Sequence, residues 1–260
     1  VFTNASKAKI MLAALVFVVL AEEFLLNSVL AFYGLILSIL ALVVLPVLAV
    51  GLGKDNEWLR VTLDAVAVVF ATRVVLSPFQ PRSLNAPAFL PTIYTLILVA
   101  LVLYLTYRGI SAREVRVSLG KYGLRYELGV GLGIGAIVGV IEYFVLKPKP
   151  LTEGLSFLQA IIYVLVVLGV MVGIAEELLF RGLLQGSLER VVPVWQAIGF
   201  TSLMFGLMHV GWMNPLEVLL AYGAGAVFGY LAKATNSLVA PITAHSFGNL
   251  VLYIVALYPW

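Results

Sequence analysis

The sequence predicts an all-α, polytopic transmembrane bundle of eight or nine helices with an intramembrane polar cavity, on three observations. The 260 residues are 62% hydrophobic and 11% charged, with a mean hydropathy of +1.08, whereas soluble domains carry about a quarter charged residues. Apolar runs approaching the ~20 residues that a span requires recur along the whole length. Three polar constellations then interrupt the last third of the chain, where an ionisable group is costly unless it faces a partner or a watery cavity.

The apolar segments fall near 10–26, 29–50, 59–77, 90–107, 127–146, 156–186, 193–210, 215–233 and 236–257. Glu22 and Glu23 interrupt the first, which reads as a tilted or half-inserted helix with the two glutamates at its interfacial end. The second, third and fourth read as further helices. Between the fourth and fifth, Arg108, Arg113, Arg116, Lys121 and Arg125 outweigh Glu114, so this loop is expected in the cytoplasm. Counting helices outward from it also places Lys7, Lys9, Arg190 and Lys233 inside.

The fifth segment carries Gly131, Gly135 and Gly139 at small-xxx-small spacing, with Gly129 and Gly133 on a neighbouring face; Gly225 and Gly229 repeat the spacing once. Such stripes let helix backbones approach closely. A phosphate loop is excluded because no strand precedes the run and no P-loop lysine follows. Glu142, alone in this segment, fits a structural or gating role. The eighth segment opens on Asn214-Pro215-Leu216-Glu217, an N-cap, a proline at the first helical position and a capping-box glutamate. We expect one membrane domain over 1–260, with accessory helices in 1–126 and a catalytic helical core in 127–260 whose motifs lie within 156–257.

Composition also excludes several functions. The chain has no cysteine, which removes disulfides, thiolate metal sites and a cysteine nucleophile. Its net charge is +3, and the positive residues form no tract with interleaved aromatics, so nucleic acid is not an expected partner. No signal-peptide pattern with a small-residue cleavage site stands out.

The constellations are Glu176-Glu177-Leu178-Leu179-Phe180-Arg181, Phe205-Gly206-Leu207-Met208-His209 and His245-Ser246-Phe247-Gly248-Asn249, and they hold both histidines of the chain. Glu177 and Arg181, four apart on a helix, share a face in the favourable order and neutralise each other. Glu176 is rotated by about 100° and left for chemistry. Phe205 stands beside His209 on one face, and His245 beside Asn249. At ~1.5 Å per residue, Glu176, His209 and His245 lie roughly 15–25 Å from the cytoplasmic ends of their helices, which allows them to converge. Any one pair alone could be interhelical glue. Together they make a polar pocket where catalysis is plausible.

Residue inventory narrows the chemistry. Gly186-Ser187 continues as Leu188-Glu189 and gives no Gly-x-Ser-Gly. The two aspartates, Asp55 and Asp64, lack a Gly-x-Gly-Asp setting, and His-Glu-x-x-His does not occur. A glutamate/histidine site that activates water remains.

The ordered motifs EExxxR, FxxxH and HxxxN, spread over residues 156–257, resemble those of the CPBP family of intramembrane glutamic endopeptidases, which includes the type II CAAX prenyl proteases. The resemblance implies that Glu176 and His209 activate water and that His245 and Asn249 stabilise the oxyanion. Glu177, Arg181 and Phe205 take supporting roles. It implies neither metal nor cofactor, and as partners the lipid bilayer and a membrane-associated peptide or prenylated protein, cleaved to release a C-terminal tripeptide. The expected location is the cell membrane in a prokaryote or the endoplasmic reticulum in a eukaryote, with the site open to the cytosol. The alternatives are a non-enzymatic scaffold or immunity-type protein, a metal-dependent hydrolase or transporter using Glu176, His209 and His245, and a proton-coupled transporter.

Overall fold

A computed structural model describes residues 4–76, 88–148 and 155–256. Residues 77 and 257, which end two of the expected segments, lie outside them. Among the described residues there are helices and no strand. The helices are α1 (Asn4–Leu26), α2 (Ala31–Gly51), α3 (Glu57–Leu76), α4 (Phe89–Arg108), α5 (Leu124–Leu146), α6 (Phe157–Leu188), α7 (Val194–Leu207), α8 (Pro215–Thr235) and α9 (Val239–Ala256). Each expected segment is a helix. Of these, α2, α4, α5, α6 and α8 are long and apolar enough to cross a membrane, and the protein is an integral membrane protein.

Local chemistry sets several helix ends. Ser156 and Gln159 form a reciprocal capping box at the start of α6, satisfying two backbone donors that the first turn leaves unpaired. Asn214 accepts the Leu216 N–H at 3.0 Å ahead of Pro215, the N-cap expected from the sequence. Gly109 closes α4 with a left-handed φ of 66°, which costs glycine little because it has no Cβ.

The chain forms two compact units. The first comprises Val1–Pro78 and Leu183–Ala226. In it, α2 packs on α1 and α3, α7 packs on α1, and the last turn of α6 packs on α3 and α7. Thr62 and Ser187 share a buried hydroxyl hydrogen bond of 3.0 Å.

Here the reading of Glu22 and Glu23 as an interfacial helix end is corrected. Both are buried, at 1% and 2% exposure. Ser38 of α2 donates to Glu22 at 2.6 Å, Asn27 donates to Glu23 at 3.3 Å, and Arg73 of α3 pairs with Glu23. Charges that sequence alone assigns to an interface are instead compensated by a cation from another helix, the condition under which burial of a carboxylate is tolerable.

The second unit comprises Phe79–Gly182 and Val227–Trp260. Its most extensive helix pair is α5 against α9. The glycine stripe explains it: a Cβ on Gly135 would lie 2.4 Å from the Ala244 carbonyl oxygen, and one on Gly139 would lie 2.4 Å from that of Gly248. Only glycine permits so close a backbone approach. On another side of α9, Gly169 and Gly173 of α6 receive Leu250 and Ser246. An apolar cluster including Leu90, Tyr94, Val172, Ala175, Leu252 and Tyr253 joins α4, α6 and α9. Thus α9 is held from both sides.

The basic connection between α4 and α5 is also built into this unit. Arg116, in a left-handed conformation with φ 60°, accepts the Leu238 N–H at its carbonyl. The Lys121 N–H donates to the Thr235 carbonyl, and Ser237 donates its hydroxyl to the Ser118 carbonyl.

Candidate active site

Helix α6 is α-helical at its start and end but winds as π-helix over Val164–Val172 and Leu178–Leu184, either side of the turn Gly173–Glu177. Such widened turns inside α-helices occur frequently at functional sites. Glu176 and Glu177 end the short α turn between them.

Glu177 is fully buried, and its Oε1 accepts two hydrogen bonds of 2.8 Å, one from Arg181 Nη1 and one from His245 Nδ1. The arginine pairing follows the i,i+4 spacing. The histidine, 68 residues away, has no local signal. Arg181 is itself fully buried near the rings of Phe180 and Phe228, and Arg116 Nη1 donates to its carbonyl at 3.2 Å. Phe228 also stacks on His245, with centroids 5.8 Å apart.

A carboxylate only accepts, so the bond to Glu177 puts a proton on Nδ1 of His245 and aims Nε2 the other way. Nε2 lies 3.8 Å from Glu176 Oε2. Glu176 keeps 22% of its side chain exposed, and its Oε1 accepts the Tyr94 hydroxyl at 2.5 Å. One turn beyond His245, Asn249 donates from Nδ2 to the Leu168 carbonyl at 3.0 Å, inside the first π stretch. An amide nitrogen carries two hydrogens, so a second donor remains at Asn249.

The second unit therefore brings together Glu176, Glu177, Arg181 and His245, with Asn249 next along α9. Four participants escaped sequence reasoning. Tyr94 and the Leu168 carbonyl leave no spacing signal, but Gly169 and Gly173 are four apart and their small-xxx-small pattern could have been read. Glu142 is half-buried on α5.

Phe205 and His209 belong to the first unit. Their rings are 5.0 Å apart, and His209 Nδ1 bonds the Phe205 carbonyl at 2.9 Å. Because a carbonyl accepts, the proton sits on Nδ1 and leaves Nε2 with a lone pair, the form suited to a base. His209 lies just past the C-terminal end of α7, beyond Met208, at φ −93° and ψ 0°, and Arg73 Nη1 reaches the preceding Met208 carbonyl at 3.5 Å. Within each unit, among the described residues, no group of three or more His, Asp or Glu is disposed to hold a metal ion.

Fold and sites thus define a helical membrane protein with a Glu-Glu pair inside the span α6 and a histidine of α9 against it. The resemblance read from the three motifs is borne out: residues 158–251 match the family model described as type II CAAX prenyl endopeptidase Rce1-like. The chain is also similar to the Bacillus subtilis (strain 168) protein named "Putative membrane peptidase YdiL", at 31% identity over 128 residues, 47% of this chain and 51% of that protein. The match thus spans about half the length of that curated relative. No solved structure matches.

Proposed function

We propose that this chain is an intramembrane endopeptidase in which Glu176 and His209 activate water while His245 and Asn249 hold the oxyanion. The observation that carries the reading is the unequal use of two adjacent carboxylates. Glu177 is sealed, its Oε1 held by Arg181 and His245, whereas Glu176 keeps an exposed edge beside the imidazole. A sealed, paired carboxylate orients; a partly exposed one can exchange protons with water.

In this reading the water oxygen adds to the scissile carbonyl carbon while Glu176 and His209 serve as the bases that take up its proton. The negative charge that develops on the carbonyl oxygen is met by the Asn249 amide and, when the ring carries its second proton, by His245 Nε2–H. The tetrahedral intermediate collapses, the C–N bond breaks, and the proton returns to the leaving amine. Water is activated by side chains, consistent with a sequence that has no thiolates and no His-Glu-x-x-His motif. The family resemblance supports a prenylated CAAX-type substrate that loses its C-terminal tripeptide. The five basic residues from Arg108 to Arg125, at the facing ends of α4 and α5 and in their connection, support a site that opens to the cytosol.

The test is a panel of C-terminal peptides, lipidated and unlipidated, with product masses fixing the scissile bond. Release of a tripeptide from the prenylated members, undiminished by exhaustive chelation, is expected. No cleavage of any member would point to a scaffold, and activity lost to chelator and restored by zinc would point to a metallohydrolase. Orientation is checked separately with Leu119→Cys, since the chain has no cysteine of its own and Leu119 is 71% exposed. Labelling by an impermeant reagent in intact cells would overturn the cytosolic opening.

A further inference from the structure

Helix α4 lies outside the matched residues 158–251, yet one of its side chains reaches Glu176. Tyr94 donates its hydroxyl to Glu176 Oε1 at 2.5 Å across 82 residues of sequence. The Tyr94 ring is 9% exposed and belongs to the apolar cluster with Val172, Ala175, Leu252 and Tyr253. A buried ring held by α6 and α9 together cannot readily swing away from the carboxylate it touches. The hydroxyl is therefore a fixed donor to one chosen oxygen.

We infer that Tyr94 is the positioning residue of Glu176, which by occupying Oε1 directs Oε2 toward His245 and makes Oε2 the proton-accepting oxygen. The inference rests on the reading of Glu176 as the water-activating carboxylate. Two geometric facts carry it. Oε1 is engaged by Tyr94 at hydrogen-bond distance, while Oε2 stands 3.8 Å from His245 Nε2, too far for a direct bond. The neighbouring Glu177 already holds the other nitrogen of the same ring at 2.8 Å. Among the described residues Glu176 is thus hydrogen-bonded at one oxygen only, and from outside its own helix. Without the Tyr94 hydroxyl the carboxylate can rotate and close on Nε2, a contact that would tie up both the base and the donor facing the substrate.

Tyr94→Phe removes one oxygen atom and keeps the ring in its cluster. We expect kcat to fall about 10–100-fold, the range for losing a hydrogen bond to a charged group and with it a near-attack geometry. KM and the thermal transition should stay close to those of the parent, a split that a merely structural role would not give. Turnover at parental kcat, or a change confined to KM, would overturn the inference.

A second readout needs no turnover and separates this inference from the proposed activity. The infrared carboxyl band of Glu176, assigned by its loss in Glu176→Gln, should be displaced in Tyr94→Phe. With 3-fluorotyrosine at position 94, which keeps ring and hydroxyl but donates more strongly, it should move the opposite way. A band unmoved by both replacements would overturn the Tyr94–Glu176 pairing even if the peptides were cleaved. A displaced band in a protein that cleaves nothing would leave the pairing standing and overturn the catalytic role given to it.

Discussion

The molecule contains two Glu-Glu pairs, and they differ in what surrounds them. Glu22 and Glu23 of α1 are both sealed, at 1% and 2% exposure, against Ser38, Asn27 and Arg73. In α6 only Glu177 is sealed, while Glu176 retains 22% exposure and faces a tyrosine and an imidazole. Both pairs recruit an arginine. In α1 the arginine comes from another helix, but in α6 it comes from the next turn of the same helix. An adjacent arginine leaves the surrounding helices free to offer Tyr94, His245 and Asn249, and this makes the second pair a candidate site and the first a structural anchor.

The largest effects should fall on one side of this comparison. Glu176→Ala and His209→Ala are each expected to abolish peptide turnover in a protein that still folds. Glu22→Gln, which keeps an acceptor for Ser38, should turn over close to the parent rate. Activity surviving in Glu176→Ala, measured by product mass, would erase the distinction between the two pairs.

Next come the donors around the second pair. Asn249→Ala and His245→Ala should each lower kcat by about 10²–10³-fold, the usual cost of one oxyanion donor, with KM little changed. Steady-state kinetics decide this, and an effect on KM alone would make both residues substrate contacts.

Removing the sealed members tests what the pairs share. Glu177→Ala removes the carboxylate hydrogen-bonded to Arg181, and Glu23→Ala removes the nearer of two carboxylates at Arg73, which keeps Glu22 at 3.9 Å; losing one partner of a buried pair costs up to about 3–5 kcal/mol. Both should therefore lower the thermal transition. Glu177→Ala should also depress turnover more deeply, because His245 loses the acceptor that orients it, whereas Arg73 reaches His209 only through the Met208 carbonyl. Equal losses of turnover per folded molecule would mean that the first pair supports the reaction as much as the second.

The smallest expected effect concerns the support beneath α9. Gly139→Leu forces a side chain against the Gly248 carbonyl, an overpacking that typically costs about 1–3 kcal/mol and should shift His245 and Asn249 with the helix. Gly133→Leu is the control, since a Cβ there meets nothing within 4 Å. Parallel thermal and kinetic measurements should show loss in the first variant and little in the second.

Some of these features were legible in the sequence because a helix has a fixed period. That period places Glu177 opposite Arg181 and Phe205 beside His209, and it lines up Gly131, Gly135 and Gly139 on one face, whatever packs against them. Hydropathy likewise marks the helices because a lipid-exposed backbone must satisfy itself internally. Periodicity says nothing of partners on other helices. The burial of Glu22 and Glu23 needed Arg73, 50 residues from Glu23. His245 on Glu177, Tyr94 on Glu176 and Asn249 on the Leu168 carbonyl span 68, 82 and 81 residues.

By itself, then, the sequence determined that this is a helical membrane protein and which polar groups share a face, since both follow from hydrophobicity and the geometry of a single helix. Only the tertiary structure decided which of two adjacent carboxylates is sealed and which keeps an open edge. That choice depends on donors brought in by α4 and α9, whose approach is set by glycine contacts and side-chain packing between helices far apart in the chain.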